Sequence, residues 1–364
     1  MCPEKRDEQP ESDQSSQQQQ DEEQVKYLPI PLGVMQPGTL APVDLFIHVG
    51  PPAGYLLYKK ARDELREDIR QRLVAHGVDN LYLRSSDEDT FHEYVEEHIS
   101  TIIRDDLVPE EDACKLVYQA SSRVMEDTFN EPRAGRNLRR AHRMVEATVQ
   151  SIMKDPDGLW HMTSIASHDY YTYTHCVHVA MFLVAASYDV LGIRDAKLLR
   201  LIGSGGILHD IGKSEIPGEI LNKPGKLTED EFRKVKEHPV LGLNLVRDDR
   251  RLEAAAGRII GGHHEHYDGG GYPAGLSGER IDRIVRLSTI VDVYDALTTN
   301  RCYAGARSAY KALDLMFHEM EDAFDINILE AFVQFLGPHE YRQRLRARWE
   351  ETLSEVMGSP VHAG

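Results

Sequence analysis

The chain is poor in cysteine and has no pair of cysteines at a metal-binding spacing. Its four cysteines lie far apart, at Cys2, Cys114, Cys176 and Cys302. This spacing excludes a cysteine-based zinc site, and isolated cysteines suit a reducing compartment better than a disulfide framework. The cysteine pattern therefore predicts a cytoplasmic protein.

Long apolar runs are absent as well. The longest, Val179 to Ala186, is far shorter than the roughly 18 residues that a membrane-spanning helix needs. The first residues, Met1 to Arg6, lead into polar sequence without the apolar segment of a secretory signal. We expect a soluble protein that does not insert into a membrane.

Positive charge is in short supply, because 42 lysines and arginines face 60 aspartates and glutamates, for a net charge of -18. Such a balance argues against binding long nucleic acid. It does not exclude a small anionic substrate, because bound metal ions can reverse the local field. Residues 1–24 hold eight acids and two bases among glutamines and serines, which predicts a disordered acidic tail.

A chain of 364 residues is long enough for two domains. Residues 25–105 predict a small α+β domain with strands near 44–49, 55–59 and 80–83, a helix over 62–75 and another from residue 87. This part of the sequence has no glycine-rich phosphate loop and no cluster of metal-binding residue types. We interpret it as a regulatory domain that senses a signal or binds a regulatory protein partner.

Helical patterns fill the rest of the chain. Helices over 110–130 and 135–153, separated at Glu131-Pro132, predict a helical connector over 106–154. Its apolar stripes suit packing within the chain and pairing in a homodimer equally well. Further helices are predicted over 172–191, which is apolar nearly all round, over 282–299 and within 308–336. Thr228 and Glu231 form a capping-box pattern at another helix start.

Histidines and acids recur beside apolar sequence in the second half of the chain. Metal ions that activate water need several imidazoles and a bridging carboxylate in one pocket. Five imidazoles and two carboxylates are present here, which is typical of a dinuclear metal hydrolase. They are His175, His209, Asp210, His238, His263, His264 and Asp292.

His209, Asp210 and Lys213 stand close together in the sequence. On a helix they would share one side, because residues three and four apart are neighbours. A carboxylate that bridges two cations, with an ammonium aimed at the same place, would suit an anionic phosphate. A His-Asp pair at a helix start beside a surface lysine fits the three residues taken alone equally well, and the surrounding histidines favour the metal site.

Two pairs of polar residues on apolar helices have a structural alternative. His175 and His178 are three apart, and we interpret His175 as a metal ligand and His178 as a core residue or one that orients a ligand. Asp292 and Asp295 are also three apart. Because a buried carboxylate needs a partner, we interpret Asp292 as a ligand and Asp295 as its support, the alternative being two buried salt bridges.

A glycine-rich turn follows the histidine pair at 263–264. Its sequence, from Asp268 to Pro273, is Asp-Gly-Gly-Gly-Tyr-Pro. Glycine lets a loop adopt unusual backbone conformations and approach a ligand closely. Alone, such a turn is usually only a loop, but beside two histidines it is typical of the wall of a site.

With these residues in view, residues 165–340 resemble the HD-GYP domain, a branch of the HD metal-dependent phosphohydrolases. The matching stretches follow the family's order, at His209–Lys213, Ile220–Leu227, His238–Gly242, His263–Pro273 and Asp292–Thr298. The resemblance implies a mostly α fold. An all-helical HD-type phosphohydrolase domain over 155–357 would follow the small α+β N-terminal domain.

The same resemblance implies a cyclic di-GMP phosphodiesterase that uses two divalent metal ions, iron or manganese. It places one ion on His175, His209 and Asp292 and the other on His238, His263 and His264, with Asp210 as the bridge. A hydroxide between the ions would attack phosphorus, giving pGpG and, after a second cut, GMP. Lys213 would act on a substrate phosphate, and the remaining substrate contacts would be Gly269, Gly271, Tyr272, Pro273 and Arg301.

The sequence departs from the family pattern on the substrate side. Tyr171 stands where some members have a glutamate for a third metal, so we expect a dinuclear site unless another residue such as His168 replaces it. His266 replaces an arginine, Cys302 a proline and Ala304 a lysine. These changes remove positive charge near the substrate, so they bear on affinity and product choice more than on hydrolysis.

Two other functions fit parts of the pattern. A non-catalytic cyclic di-GMP receptor or interaction protein would keep the fold, and the lost arginine and lysine favour it while the intact ligand set argues against it. An HD hydrolase of another nucleotide, such as a different cyclic dinucleotide or a guanosine polyphosphate, would keep the metals. The Gly-Gly-Gly-Tyr-Pro loop favours cyclic di-GMP over that second alternative.

Overall fold

A computed structural model describes residues 25–51, 54–154, 172–252, 254–299 and 307–337. The chain divides into two compact units, one ending at Phe91 and the other beginning at His92. The predicted acidic tail and Arg301, a predicted substrate contact, lie outside the described residues. So do the four positions discussed for the third metal and for the family departures, His168, Tyr171, Cys302 and Ala304.

The first unit contains a four-stranded antiparallel sheet in the order β1-β4-β2-β3. Its strands are β1 (Tyr27–Pro31), β2 (Leu45–Gly50), β3 (Gly54–Lys59) and β4 (Asn80–Arg84). Helix α1 (Glu67–Ala75) lies between β3 and β4 in the chain, and α2 (Glu88–Ile102) follows β4. The predicted α+β character of this region is confirmed.

One face of the sheet forms the core of the first unit. Leu81 and Leu83 on β4 are buried, as are Ile30 on β1 and Leu45 on β2. Residues two apart on a strand share a face, and Tyr82 between the two leucines is accordingly only half-buried on the other face. There it lies in an aromatic cluster with Tyr55, their ring centroids 5.0 Å apart.

Two details of this unit differ from the sequence prediction. Strand β1 was not predicted. It contains Pro29 and Pro31, and the structure places it at the sheet edge, where proline is tolerated. Helix α1 begins at Glu67 and not at residue 62. Arg62 has a φ of 69°, which is incompatible with a right-handed helix.

The described part of the second unit is helical. The connector region supplies α3 (Glu110–Asn130) and α4 (Gly135–Lys154), and the predicted buried helix is α5 (Thr172–Asp189). The following helices are α6 (Ala196–Leu208), α7 (Gly218–Leu221), α8 (Glu229–Val235), α9 (His238–Val246), α10 (Ala254–Gly262), α11 (Arg283–Thr298), α12 (Ala309–His318) and α13 (Ile326–Phe335). The mostly α fold class is confirmed.

Helix α6 lies at the centre of this bundle. It packs against α4, α5 and α10, while α5 packs in turn against α3 and α11. Helix α5 is buried along almost its whole length from Thr174 to Ser187, as its uniformly apolar sequence predicts. The predicted capping box of Thr228 and Glu231 is present at the start of α8.

The segment from His209 to Lys213 is not the continuous helix that the sequence analysis assumed. Helix α6 ends at Leu208, His209 caps it, and Asp210 has φ −98° and ψ 4° outside the helical region. A short 3-10 helix, Ile211–Glu215, follows. The tighter turn still brings Lys213 onto Asp210, so the predicted proximity holds for a different geometric reason.

Gly212 brings this turn against the start of α9. A Cβ at Gly212 would overlap the carbonyl oxygen of His238 and lie 2.5 Å from the backbone nitrogen of Gly242. Only glycine therefore allows the two backbones to approach so closely. The contact fixes the distance between the Asp210 turn and His238.

Among the described residues, the structure contains no helix long and apolar enough to span a bilayer.

We expect Gly212→Ala to destabilise the second unit by about 1–3 kcal/mol, the usual cost of overpacking a core. The measurement is the denaturant midpoint of unfolding. Gly257→Ala on α10 is the matched control, because its added Cβ would meet nothing closer than 3.8 Å. An unchanged midpoint for Gly212→Ala would show that the turn and α9 separate without cost.

Candidate metal centre

Helix ends and one helix interior supply the seven predicted metal ligands. His175 lies in the first turn of α5, His209 caps α6, and Asp210 follows it. His238 opens α9, His263 and His264 follow the last residue of α10, and Asp292 lies inside α11. Six of the seven side chains are buried, and His264 is half-buried.

The structure brings these side chains into two groups that share one carboxylate. Ligand atoms of His175, His209 and Asp210 lie within 4.8 Å of one another. Those of Asp210, His238, His263 and His264 meet the same criterion. Asp210 is common to both groups, with Oδ2 toward His175 and Oδ1 toward His238, which is the position a bridging ligand needs.

Asp292 lies across the first group. Its Oδ1 is 3.0 Å from His175 Nε2 and 3.7 Å from His209 Nε2. Its Oδ2 is 3.8 Å from His264 Nδ1. The second carboxylate therefore lies close to histidines of both groups.

Backbone carbonyls fix the tautomers of three of the histidines. Nδ1 of His209 donates to Gly206 O at 2.7 Å, and Nδ1 of His238 donates to Val235 O at 2.7 Å. Nδ1 of His263 lies 3.1 Å from Ile260 O. A carbonyl oxygen can only accept, so the neutral imidazoles carry their proton on Nδ1 and present the lone pair of Nε2 to the centre.

This arrangement leaves buried lone pairs without a hydrogen-bond donor. Nε2 of His238 and Nε2 of His263 face each other at 3.1 Å. Among the described residues, His209 Nε2 and Asp210 Oδ1 are buried and have no hydrogen-bond partner. Unsatisfied buried acceptors are costly, and a cation between them would satisfy all of them. Imidazole nitrogens and carboxylate oxygens in this number fit divalent metal ions such as iron, manganese or zinc.

The two carboxylates are ionised despite their burial. Burial raises the pKa of Asp210, but the nearby Lys213 and histidines outweigh it and hold that pKa well below its usual range. Burial likewise raises the pKa of Asp292, and its contacts with His175 and other histidines again lower it to well below the ordinary value. Both groups are therefore charged at neutral pH, as metal ligands must be.

Burial also lowers the pKa of three of the histidines. Burial lowers the pKa of His209 and, with the neighbouring imidazoles, lowers that of His263 further. Burial also lowers the pKa of His264 to about 3. These three rings are consequently neutral at neutral pH, and each has a ring nitrogen available to a metal.

Lys213 lies on the solvent side of the Asp210 carboxylate. Its ammonium contacts Asp210 Oδ2, and its side chain is 21% exposed where that of Asp210 is 1% exposed. An ammonium in this position is held over the centre by one carboxylate and remains within reach of solvent. It can meet an anionic group that approaches the metals.

The glycine-rich turn packs directly on the histidines. Tyr272 N donates to His264 O at 3.0 Å, and the two rings stack with centroids 4.7 Å apart. The peptide bond from Tyr272 to Pro273 is cis. A Cβ at Gly271 would overlap backbone atoms of His264 and His266, so glycine is required for this approach. Gly269 has a φ of 87°, also favourable only for glycine.

Glu265 anchors the chain just after the glycine-rich turn through hydrogen bonds, a role that was not predicted from the sequence. The side chain is buried, and its carboxylate accepts hydrogen bonds from Ala274 N at 2.7 Å and Leu276 N at 2.8 Å. The signal in the sequence that could have indicated this role is the position of Glu265 directly after the histidine pair. Because Glu265 sits beside His264 in the chain, it couples the loop to the metal centre.

Lys236 is a second residue that the sequence analysis missed. Its ammonium lies 4.8 Å from the Phe232 ring centroid and 5.6 Å from that of Tyr272. Among the described residues no carboxylate lies within 4.0 Å of it, and the residue is exposed. Phe232 and Lys236 are four residues apart beside His238, a spacing that could have indicated a shared face.

Comparison with known proteins agrees with this architecture. Residues 178–328 match the family model described as the HD domain, and this stretch includes the His209-Asp210 pair. The match agrees with the HD-type part of the resemblance seen in the sequence.

Two curated relatives illustrate the similarity. A cyclic di-GMP phosphodiesterase of Pseudomonas aeruginosa is 37% identical over 227 residues, covering 62% of this chain and 54% of the relative. A 3'3'-cGAMP-specific phosphodiesterase of Vibrio cholerae is 37% identical over 177 residues, covering 48% of this chain and 37% of the relative. The chain thus spans about half or less of the length of these relatives.

A solved structure shares the fold. An HDG"Y"P protein from Bdellovibrio bacteriovorus aligns with a TM-score of 0.58 at 21% identity. The alignment covers 85% of this chain and 99% of that chain. At this identity the match supports the arrangement of helices.

We expect the purified wild-type protein to hold two metal ions per chain and Asp210→Asn to hold fewer than one, because the amide cannot bridge two cations. Metal content after anaerobic loading is the measurement. Asp249→Asn is the matched control, since Asp249 is another ionised carboxylate that pairs with His142 and Arg251 away from the centre. Three metals per wild-type chain, or full retention in Asp210→Asn, would contradict the dinuclear assignment.

Proposed function

We propose that this protein is a metal-dependent phosphodiesterase that hydrolyses cyclic di-GMP to pGpG and then to GMP. The observation that carries the proposal is the buried carboxylate of Asp210, shared by two groups of histidines. Such a centre is built for two adjacent cations. The names of the relatives support a cyclic dinucleotide as the substrate.

Iron or manganese ions bound here would lower the pKa of water and neutralise charge on a phosphate, which is the chemistry that hydrolysis of a phosphodiester needs. The chain's own residues do the rest. His175, His209 and Asp292 would hold one ion, and His238, His263 and His264 the other. The buried walls around them exclude bulk water and strengthen every charge interaction inside.

Lys213 and the glycine-rich turn would orient the substrate. The Lys213 ammonium lies over Asp210 on the solvent side, where it would stabilise charge developing on the phosphoryl oxygens. Tyr272 stacks on His264 and extends the aromatic surface beside the metal centre, which suits a guanine base. The substrate pocket beside the metal centre would be shaped by the backbone of the glycine-rich turn at Gly269, Gly271 and Pro273. Arg301 would contribute a positive charge to the substrate site.

A second cyclic dinucleotide, 3'3'-cGAMP, is a specific alternative substrate. Relatives with that specificity match this chain at the same 37% identity as the Pseudomonas aeruginosa cyclic di-GMP enzyme. The two substrates differ in one purine base and share their phosphodiester bonds. The metal centre would act on the same phosphodiester group in both substrates. The residues around it, which would contact the bases, would determine the specificity.

The test is anaerobic turnover of cyclic di-GMP and 3'3'-cGAMP by protein loaded separately with iron and with manganese, with products resolved by chromatography. We expect metal-dependent pGpG and GMP from cyclic di-GMP, and none from Asp210→Asn. Faster cleavage of 3'3'-cGAMP would move the specificity to that nucleotide. A fully loaded protein that binds cyclic di-GMP without cleaving it would be a receptor, and the enzymatic proposal would fail.

Lys236→Met should raise the KM for cyclic di-GMP about threefold to fivefold with little change in kcat. The physical reason is loss of one exposed cation near a substrate phosphate, an interaction of up to about 1 kcal/mol. Lys234→Met, an exposed lysine in the last turn of α8, is the matched control. Equal KM values for both variants would remove Lys236 from the substrate site.

A further inference from the structure

A chain of hydrogen bonds runs from the connector helix α3 to the metal centre. The hydroxyl of Tyr118 on α3 lies 3.1 Å from His178 Nε2. His178 Nδ1 lies 3.1 Å from Asp295 Oδ1, and Asp295 Oδ2 lies 2.7 Å from His175 Nδ1. We name these four residues, Tyr118, His178, Asp295 and His175, the α3 relay.

The carboxylate in the middle sets the direction of the hydrogen bonds from both histidines. Each oxygen of the buried Asp295 side chain lies within hydrogen-bond distance of an imidazole Nδ1, at 2.7 Å from His175 and 3.1 Å from His178. A carboxylate oxygen accepts, so His175 and His178 each donate from Nδ1. The Tyr118 hydroxyl and His178 Nε2 form the next hydrogen bond of the relay.

The relay orients one predicted metal ligand. With its proton on Nδ1, His175 presents the lone pair of Nε2 to the centre, 3.0 Å from Asp292 and 3.9 Å from Asp210. Hydrogen bonding to a carboxylate also makes the ring a better donor to a metal. His209, His238 and His263 are oriented by backbone carbonyls instead. Among these four histidines, His175 therefore depends on side chains from another helix.

The relay is rigid where it meets the centre. His175, His178 and Asp295 are each no more than 2% exposed. The rings of Tyr118 and His178 stack with an interplanar angle of 13° and centroids 5.4 Å apart. Helix α3 packs directly on α5, the helix that carries both histidines. A shift of α3 would therefore change the hydrogen bond to His178 without breaking a backbone bond of α5.

We propose that Tyr118 and His178 are positioning residues for the metal ligand His175, and that through them helix α3 sets the affinity of one metal site. The site affected is the one formed by His175, His209 and Asp292. The site formed by His238, His263 and His264 approaches the relay through the shared Asp210 and through Asp292, whose Oδ2 lies 3.8 Å from His264 Nδ1. The inference rests on the proposed function only in requiring that these residues bind metal.

The test compares Mn(II) binding to the full-length wild type and to Tyr118→Phe by titration and by electron paramagnetic resonance. Removing the hydroxyl should weaken one of the two sites about tenfold, as loss of a supporting partner usually does, and leave the other unchanged. At limiting Mn(II), the spectrum should then change from that of a coupled pair to that of an isolated ion.

Two variants at His178 separate the links of the relay. His178→Asn keeps a donor for Asp295 and loses the bond from Tyr118, so it should match Tyr118→Phe. His178→Leu loses both bonds and should weaken the same site further. Tyr294→Phe is the control, because Tyr294 is buried in the same unit and no hydrogen bond of its hydroxyl is present among the described residues.

The outcomes distinguish this inference from the proposed function. Selective weakening of one site supports the relay, even if the protein cleaves no cyclic dinucleotide, in which case the proposed function alone fails. Mn(II) binding by Tyr118→Phe and His178→Leu that equals the wild type would overturn the relay. Equal weakening of both sites, in proportion to a lower unfolding temperature, would also overturn it, because the residues would then have only a structural role.

Discussion

The burial of one carboxylate, Asp210, is the constraint on which the rest of the second unit depends. Its side chain is 1% exposed, and an isolated buried charge would be strongly destabilising. Lys213 compensates it on one side and the histidines surround it on the others. His175, His238 and His263 come from three other segments, so α5, α9 and α10 all have to meet the end of α6 at this point.

Close backbone packing makes that meeting possible. Gly212 lets the Asp210 turn touch the first residue of α9, and Gly271 lets the glycine-rich turn touch the backbone of His264. Polar groups of the backbone then orient the rings, because the carbonyls of Gly206, Val235 and Ile260 accept from Nδ1. The same packing that forms the core thus fixes the tautomers, and stability and metal binding depend on one set of contacts.

Much of the centre was readable in the sequence because ligand chemistry is carried by residue type. Histidines and aspartates beside apolar sequence were the signal for metal ligands, and the structure brings the seven predicted ligands together. Strand β1 and the broken helix at His209–Lys213 were not predictable in the same way. Proline in β1 is tolerated because that strand is at the sheet edge, and position in a sheet is not a property of local sequence.

The sequence by itself determined the helical class, the ligand types and the aromatic turn, since these follow from periodicity, side-chain chemistry and glycine content. Only the tertiary structure decided which ring nitrogen faces the centre and which residues distant in the chain contact the ligands. Tyr118, Glu265 and Lys236 acquire their roles from contacts with residues distant in the chain or across a turn. Such contacts leave no local pattern, because they are formed by packing between helices.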